Sequence, residues 1–593
     1  MKNSSKPFLI FASVMSFSLF YFLNRFWILY ISAEGSFFAA FSYAFDNLFS
    51  SISQNPVYIS LQFSALAAGA AGAGTVWLFY LYHTAGSKKY MRGTEHGSAE
   101  WGTKKDIRNF QDEKFENSII LTETENMTMN DRMKRTSDDD FSRNKNVLVI
   151  GSSGSGKTRF YVKPNIMQMH SSYVITDPKG LLFHECGKML QDNGYEIKVF
   201  DLVSRESSDK YNPFLYLRTA DDVLKLITNL IANTSSAQNK SEGDFWEKAE
   251  TALLEAIFGY LLFNVRKSDQ TIANAMELLR MAEVKEEDEE YQSGLDIMFE
   301  DLEAKDPNSF AVKQYKIYKF AAGRTAKSIL ISVGVRLAAF NIDSINNLVS
   351  GDTIQLDMIG DRKTALFVIL PDTDKSFNFL AAMMFQQLFD ILVHRADTEY
   401  KGKLPISVRC MLDEFANIGQ IPMFEVLMST VRSRGISLNI ILQNLAQIKN
   451  LYKDTWEVIT GNCDSLLFLG GTEQSTLKYI SEMCGKQTIK NQSINESRGQ
   501  NGSYSLNNQV LGRDLITPDE AGRLKGRECI LAIRSCRPFK SRKYDIEKHK
   551  NYSFLSDYSE DNWFEKKDIK VLDDFDYMDV TYIDFEELES YKS

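Results

Sequence analysis

The chain is 593 residues long, carries 25% charged residues and has a formal net charge of −10. This length allows about two to four domains with separate cores, and the composition is ordinary for globular protein. Because the six cysteines form no CxxC pair and the charge balance is acidic, the sequence argues against a zinc site and against a free-standing nucleic-acid-binding protein, which would usually be basic.

Two apolar stretches near the N-terminus are predicted to cross a membrane as helices. The first, residues 8–31, is interrupted by Asn24 and by Arg25, which lies toward the end of the stretch, where its side chain can snorkel. The second is residues 57–82. Its small-residue centre, residues 65–74, contains Gly69 to Gly74, and such small residues suit close packing of helices but also fit a merely flexible span.

The basic residues around these stretches predict their orientation. The connecting loop 32–56 contains no Lys or Arg, whereas basic residues lie on the outer side of both stretches: Lys2, Lys6, Lys88, Lys89 and Arg92. This bias predicts a multi-pass anchor over residues 1–92 in the cytoplasmic membrane, in contact with lipid and with both termini in the cytoplasm. A cleaved signal peptide is the alternative for residues 1–31, but the apolar stretch is too long and lacks a clean cleavage site.

Residues 146–158, NVLVIGSSGSGKT, predict a nucleotide-binding loop. An apolar run indicates a buried strand, and the complete pattern G-x-x-x-x-G-K-[ST] follows it. In such a loop backbone N–H groups face the phosphates, Lys157 reaches the β- and γ-phosphates, and Thr158 coordinates Mg²⁺. The residues expected to bind ATP are Gly151, Ser152, Ser153, Gly154, Ser155, Gly156, Lys157 and Thr158. A Gly/Ser-rich turn without a ligand is the alternative.

A second apolar strand, residues 408–412, ends in two carboxylates, Asp413 and Glu414. An Asp at the end of a strand can hold Mg²⁺ directly or through water, and the following Glu can orient and deprotonate the attacking water. The alternative is a helix N-terminus that places acidic groups against its dipole. With a phosphate-binding loop upstream, the sequence favours ATP hydrolysis.

Two further residues follow the acidic pair. Arg432 precedes a predicted strand over residues 438–442, and Gln443 stands at the end of that strand. An arginine acting in trans can neutralise charge on the γ-phosphate, and a glutamine at this position is suited to sensing that phosphate. Each residue taken alone would be interpreted as a solvated side chain.

The remaining sequence predicts an alternating β/α body, residues 93–214 and 341–555, which contains an all-helical insertion at residues 215–340. Within the insertion, the acidic run 282–292 is interpreted as a solvated face or as a docking surface for a basic substrate signal.

The sequence predicts three features of the C-terminal region. Residues 493–509 are expected to form a mobile polar loop. A basic cluster is expected to face either DNA or solvent: Arg534, Arg537, Lys540, Arg542 and Lys543. The tail 556–593 holds 13 Asp and Glu against 4 Lys and is expected to be weakly ordered, with aromatics that dock elsewhere.

A series of motifs in this order resembles the coupling proteins of type IV secretion, the TraG/TraD-like ATPases of conjugation systems. The motifs are HGSAEW at 96–101, the phosphate-binding loop, TDPKG at 176–180, YNPF at 211–214, LDEFANIG at 412–419 and LITPDEAGRL at 515–524. The resemblance implies an α/β fold: a RecA-like nucleotide-binding domain with an inserted all-α substrate-recognition domain, preceded by two transmembrane helices.

The resemblance also implies a function. A homo-hexameric ring at the inner face of the membrane would bind ATP and Mg²⁺ and recruit DNA, expected to be single-stranded and carried by a relaxase, as well as protein substrates. It would deliver them to the membrane proteins of the secretion channel. Lys157, Thr158, Asp413, Glu414, Arg432 and Gln443 match the family's Walker A, Walker B, arginine-finger and sensor positions. The sequence departs from the family pattern at Leu181, where Glu is common, and at Glu100, where Arg is common.

Two other functions stay open at this stage. An FtsK-like translocase for chromosome segregation would usually carry a C-terminal winged-helix module, which is not evident in the sequence. A non-hydrolysing substrate receptor would use the loop for assembly and would tolerate the loss of Glu414.

Overall fold

The computed structural model describes residues 5–85, 93–130, 143–235, 243–285, 291–321, 323–372, 374–497 and 503–566. The chain forms two compact units, Met1–Glu95 and His96–Ser593. Each unit is described separately.

Within its described residues, the N-terminal unit contains three helices: α1 (Ser5–Ser32), α2 (Phe37–Gln54) and α3 (Phe63–Ala85). In the part of this unit that the structure describes, two segments are long and apolar enough to cross a membrane, Phe8–Ser32 in α1 and Phe63–Tyr82 in α3. The second segment begins later than predicted because the chain before it stays non-helical. There the side chain of Asn24 exchanges two hydrogen bonds with the backbone of Ser60, of 2.9 and 3.1 Å.

Small residues let α1 and α3 approach closely. A Cβ atom on Gly69 would lie 2.9 Å from the ring of Phe20, and one on Gly72 would lie 2.2 Å from Leu23. The small-residue stretch predicted in the second span therefore contributes a packing surface rather than mere flexibility.

The second unit is built on β-strands, and the six adjacent parallel strands at its centre are buried along their whole length. In chain order they are β1 (Ser118–Ile120), β2 (Asn126–Thr128), β3 (Val147–Ile150), β4 (Ser172–Asp177), β5 (Glu196–Asp201), β6 (Thr364–Ile369), β7 (Val408–Leu412), β8 (Ile436–Leu442), β9 (Ser465–Phe468), β10 (Lys486–Ser497), β11 (Ser503–Asp514), β12 (Glu528–Ile533) and β13 (Phe539–Arg542).

Nine of these strands form one sheet in the order β13-β12-β9-β3-β8-β7-β4-β6-β5. The strands from β9 to β5 in that order are parallel, and β12 and β13 extend the sheet by antiparallel pairing. Because β3 is the fourth of the nine strands and lies between β8 and β9, whatever follows β3 is placed near the middle of the whole sheet, at the carboxyl edge of its parallel strands.

Helices pack on both faces of the sheet, where the buried residues form two clusters. The helices of this unit are α4 (Lys104–Ile107), α5 (Lys163–Ile166), α6 (Leu181–Asp192), α7 (Ala220–Thr234), α8 (Gly243–Asn264), α9 (Ile272–Arg280), α10 (Gly294–Lys305), α11 (Phe310–Tyr318), α12 (Gly323–Leu337), α13 (Asp343–Val349), α14 (Asn378–Thr398), α15 (Phe424–Thr430), α16 (Leu445–Tyr452), α17 (Trp456–Gly461), α18 (Gln474–Cys484) and α19 (Pro518–Gly522). Successive residues of a strand point to opposite faces. Thus Leu148 and Ile150 enter one core, whereas Val147 and Val149 enter the other.

The described part of residues 215–340 is helical and contains no strand. Its helices share a core with one face of the sheet, since Leu226 of α7, Leu253 of α8 and Leu148 of β3 belong to one buried cluster.

The prediction of a mobile loop at residues 493–509 is wrong. Most of this segment belongs to β10 and β11, which form a separate antiparallel hairpin paired from Lys486↔Asp514 to Ser497↔Ser503. Its high content of Asn, Ser and Gly suggested a loop, but backbone pairing along 12 residues of each strand outweighs that local preference. Residues 498–502 lie outside the described residues.

The C-terminal tail is ordered at its beginning, contrary to the expectation for 556–593. Residues 556–566 lie against α6, where Phe564 is buried and the ring of Trp563 stacks on His184 at 4.6 Å. The prediction that aromatic residues of the tail dock elsewhere is confirmed by Trp563 and Phe564. Residues 567–593 lie outside the described residues.

Candidate nucleotide-hydrolysis site

The phosphate-binding loop follows β3 at the carboxyl edge of the parallel strands, where open α/β sheets bind their ligands. The loop is tied to both neighbouring strand ends: the N–H of Gly151 donates to the carbonyl of Leu442 at 3.0 Å, and that of Ser152 to Gly470 at 2.9 Å. Gly154 and Gly156 have φ values of +76° and +82°, which favour glycine. A short π-helix, Thr158–Val162, leads from the loop into α5.

Lys157 bridges the loop and the acidic pair. Its Nζ donates to the carbonyl of Gly151 at 3.1 Å and lies 3.2 Å from Oε1 of Glu414. Only 8% of the lysine side chain and 15% of the Glu414 side chain are exposed. A buried ammonium group is therefore held inside the loop, where a phosphate would replace its present partners.

Thr158 and Asp413 lie next to each other although 255 positions separate them in sequence. The Thr158 hydroxyl donates to Oδ2 of Asp413 at 3.0 Å. Burial, together with the charge of neighbouring Glu414, raises the pKa of Asp413 to about 6, against the opposing effects of Lys157 and Thr158.

The oxygen donors of Thr158 and Asp413 are those that Mg²⁺ prefers. Among the described residues, no cluster of three or more His, Cys, Asp or Glu side chains could hold a metal ion by itself. Mg²⁺ usually takes one or two protein ligands together with substrate phosphates and water. A buried carboxylate with a raised pKa would also gain from a cation beside it.

Glu414 is held from two sides. Gln443 donates from Nε2 to Oε2 of Glu414 at 3.1 Å, while Lys157 contacts the other carboxylate oxygen. The backbone of Glu414 has φ +50°, the left-handed region that is unfavourable for a residue other than glycine. Such backbone strain is often found at functional sites, where neighbouring contacts maintain it.

Arg432 lies apart from the acidic pair and the phosphate-binding loop. It lies exposed in the turn Val431–Arg434, before β8, whereas Gln443 follows β8. The seven residues of β8 span roughly 23 Å at about 3.3 Å per residue. Arg432 therefore lies at the amino edge of the parallel strands, and the phosphate-binding loop of the same chain lies at the carboxyl edge. Arg434 is bound to Asp397 at 2.7 Å.

Three further groups at this site were missed by sequence reasoning. The Thr176 hydroxyl, in the TDPKG motif, donates to the carbonyl of Asp413 at 2.6 Å. Asp372, which follows β6, has a pKa raised by burial and by the charge of Glu414. Its position after a buried strand was the available signal.

The third missed group is Lys543, which donates from Nζ to the carbonyl of Ser155 in the phosphate-binding loop at 2.9 Å. Lys543 is buried and lies over the ring of Phe160 at 5.6 Å, and Arg527 lies over the same ring at 5.4 Å. Burial lowers the pKa of Lys543. No local pattern could have connected this lysine with a loop 388 positions earlier.

The five residues of the predicted C-terminal basic cluster do not form a continuous basic surface. Lys543 is buried, and the other four members lie beside carboxylates: Arg534 with Asp464, Arg537 with Glu100, Lys540 with Glu528 and Arg542 with Glu123. The unusual Glu100 thus has an ion-pair partner at 3.1 Å.

Comparison with known sequences shows which proteins this chain is similar to. A family model described as type IV secretory system conjugative DNA transfer matches residues 100–554. The conjugal transfer protein TraG of Rhizobium radiobacter is 22% identical over 394 residues, covering 65% of this chain and 59% of that protein. The protein VirD4 of Rhizobium rhizogenes is 22% identical over 418 residues, covering 67% and 57%. The chain thus spans less than two thirds of the length of these relatives.

Comparison with solved structures finds coupling proteins with a similar fold. The bacterial conjugative coupling protein TrwBdeltaN70 has a TM-score of 0.53 and 15% identity, covering 77% of this chain and 93% of that chain. The plasmid coupling protein TrwB in complex with ADP and Mg²⁺ has a TM-score of 0.51 and 15% identity, covering 77% and 94%. These likenesses concern the fold, and they confirm a RecA-like P-loop domain with an inserted all-α domain. Because the family model matches most of the chain, the protein belongs to the type IV secretory system conjugative DNA transfer family.

Proposed function

We propose that this protein is a membrane-anchored coupling ATPase, which recruits relaxase–DNA and protein substrates and drives them into a type IV secretion channel. The proposal rests on two contacts at one edge of the sheet: the hydrogen bond between Thr158 and Asp413 and the ion pair between Lys157 and Glu414. Family membership and the ADP and Mg²⁺ complex of TrwB support it.

In the proposed reaction, the N–H groups of residues 151–158 bind the phosphates of ATP. Lys157 exchanges its contact with Glu414 for the β- and γ-phosphates, which frees the Glu414 carboxylate to orient the attacking water and accept its proton. Gln443 keeps that carboxylate in place and is positioned to sense the γ-phosphate. Thr158 and Asp413 would hold Mg²⁺, which when bound neutralises charge on the phosphates.

Arg432 is proposed to act on the nucleotide of a neighbouring subunit. Its place at the amino edge of the sheet, roughly 23 Å of strand away from Gln443, keeps it from the phosphates bound by its own chain. A homo-hexameric ring would bring this arginine to the next subunit's site, where it would neutralise charge developing on the γ-phosphate.

The two candidate spans and the distribution of Lys and Arg support an anchor in the cytoplasmic membrane with both termini inside. We assign anchoring to residues 1–92, nucleotide chemistry to 93–214 and 341–555, and substrate recognition to the helices of 215–340. Residues 556–593 form an acidic C-terminal extension. The partners expected from this assignment are membrane lipid, channel proteins and a relaxase carrying single-stranded DNA.

Glu414→Gln tests the proposal against a non-hydrolysing receptor. The variant should bind ATP but release no phosphate, and cells carrying it should transfer no relaxase-bound DNA in mating. Glu457→Gln, an exposed position on α17, is the matched control and should retain both activities. Normal DNA transfer by Glu414→Gln would favour the receptor. A defect in chromosome segregation with normal mating would favour the FtsK-like alternative.

A further inference from the structure

Helix α2, which connects the two candidate spans, packs directly on one of them. Its buried side consists of Ala40, Ala44 and Leu48. Phe41 contacts Phe26 of α1 with ring centroids 5.2 Å apart. Since Phe26 lies within the span Phe8–Ser32, α2 is held against the part of α1 that is apolar enough to cross a membrane.

Arg25 fixes the C-terminal end of α2 to the same span. Its guanidinium donates to the carbonyls of Ser51 and Asn55 at 2.5 and 2.9 Å, and it lies over the ring of Tyr58 at 5.1 Å. Both carbonyls lie at the C-terminal end of α2, which carries partial negative charge, and each also accepts a longer backbone hydrogen bond, from the N–H of Asn55 at 3.3 Å and of Tyr58 at 3.4 Å. Arg25 is only 5% exposed, and its guanidinium caps the C-terminal end of α2. This role explains why a charged residue stands within the apolar stretch.

The two flanks of α2 differ in chemistry. At 100° per residue, the phenylalanines spaced three and four apart fall on one side of the buried strip. They are strongly exposed: Phe38 82%, Phe41 48%, Phe45 62% and Phe49 70%. The opposite flank carries exposed polar residues: Asp46, Ser50 and Gln54. One side thus suits hydrocarbon and the other suits water.

We propose that α2 is an interfacial helix at the non-cytoplasmic surface of the membrane, with its phenylalanine flank in the lipid and its polar flank in water. This inference rests on the proposed membrane anchoring. The lipid bilayer is the partner because α2 lies against a span that itself exposes apolar side chains, such as Phe22 and Ile31, and because Phe41 of the phenylalanine flank contacts Phe26 of that span. Residues 26–87 contain no Lys or Arg, so the contact does not require anionic lipid.

Tryptophan fluorescence in brominated lipid tests the assignment. The full chain is reconstituted in phosphatidylcholine vesicles with and without bromine on the acyl chains. Phe45→Trp and its control Ser50→Trp are made in a Trp27→Phe, Trp77→Phe background. We expect bromine to remove most of the added emission of Phe45→Trp and to leave that of Ser50→Trp nearly unchanged. Equal quenching of both, or of neither, would overturn the interfacial assignment.

The wild-type chain separates this inference from the anchoring itself. Trp27 and Trp77 lie in the two candidate spans, so bromine should quench their emission whether or not α2 is interfacial. An absence of that quenching would overturn the anchoring, and the α2 assignment with it. Arg25→Met in the Phe45→Trp chain should reduce the quenching at position 45. Full quenching in that variant would overturn the capping role of Arg25.

Discussion

At the scale of single residues, the site depends on contacts between motifs far apart in sequence. The loop at 151–158 and the pair Asp413 and Glu414 could be predicted because each follows a buried apolar strand, and parallel strands expose their carboxyl ends at one edge. Lys543 could not be predicted, since its place depends on the antiparallel pairing of β12 and β13 at the sheet edge.

Lys543→Met should weaken ATP binding without abolishing hydrolysis. The substitution removes the ammonium group that bonds the Ser155 carbonyl and keeps most of the side-chain volume, so the loop loses support rather than its own phosphate donors. Steady-state kinetics should show KM for ATP raised severalfold and kcat changed less. Lys540→Met, at a half-exposed position beside Glu528, is the control, and an equal effect there would contradict this role.

Asp413→Asn should stabilise the nucleotide-free protein at neutral pH while abolishing Mg²⁺-dependent hydrolysis. The folded-state pKa of about 6 lies above the ordinary 3.8, so the ionised carboxylate opposes folding above pH 6, and protonation relieves this as the pH falls toward 3.8. A shift of this size corresponds to at most about 3 kcal/mol.

Thermal unfolding of the two proteins between pH 4 and 8 measures this effect. The stability advantage of Asp413→Asn should be largest at pH 7–8 and should shrink below about pH 6. An advantage independent of pH would show that ionisation of Asp413 is not its cause.

At the scale of elements, amino-acid composition led to wrong predictions where the pairing of strands or the docking of side chains determines the structure. The polar hairpin β10–β11 has no regular apolar alternation, so its strands carry little sequence signal. The acidic composition of the tail likewise hid the anchoring of 556–566 by Phe564, which is buried against Phe183 with ring centroids 5.2 Å apart.

Phe564→Ala should release the segment 556–566 from α6 without unfolding the unit. Removing a buried phenylalanine costs about 3–5 kcal/mol at a core position, and the local loss should appear as faster proteolysis of this segment. Limited proteolysis with mass spectrometry measures it. Tyr558→Ala, at a side chain 64% exposed, should leave the cleavage rate unchanged. Equal rates for the Phe564→Ala and wild-type proteins would contradict the anchoring.

At the scale of the whole molecule, the order of motifs predicted the fold class and the family before any coordinates. The close approach of α1 and α3 through Gly69 and Gly72 depends on which side chains face each other, so the sequence left it open. The position of Arg432 relative to the phosphate-binding loop also needed the structure, because it follows from the direction of β8 within the sheet.

The central claim is that ATP is hydrolysed at a site completed by Arg432 of a neighbouring subunit. Lys157→Ala and Arg432→Ala proteins, each in full-length form, should lack ATPase activity alone. Mixed in one membrane preparation, they should regain part of it, because a Lys157→Ala subunit can lend its Arg432 to an intact loop next to it. Mixed assemblies with no recovered activity, or full activity in Arg432→Ala alone, would contradict the account.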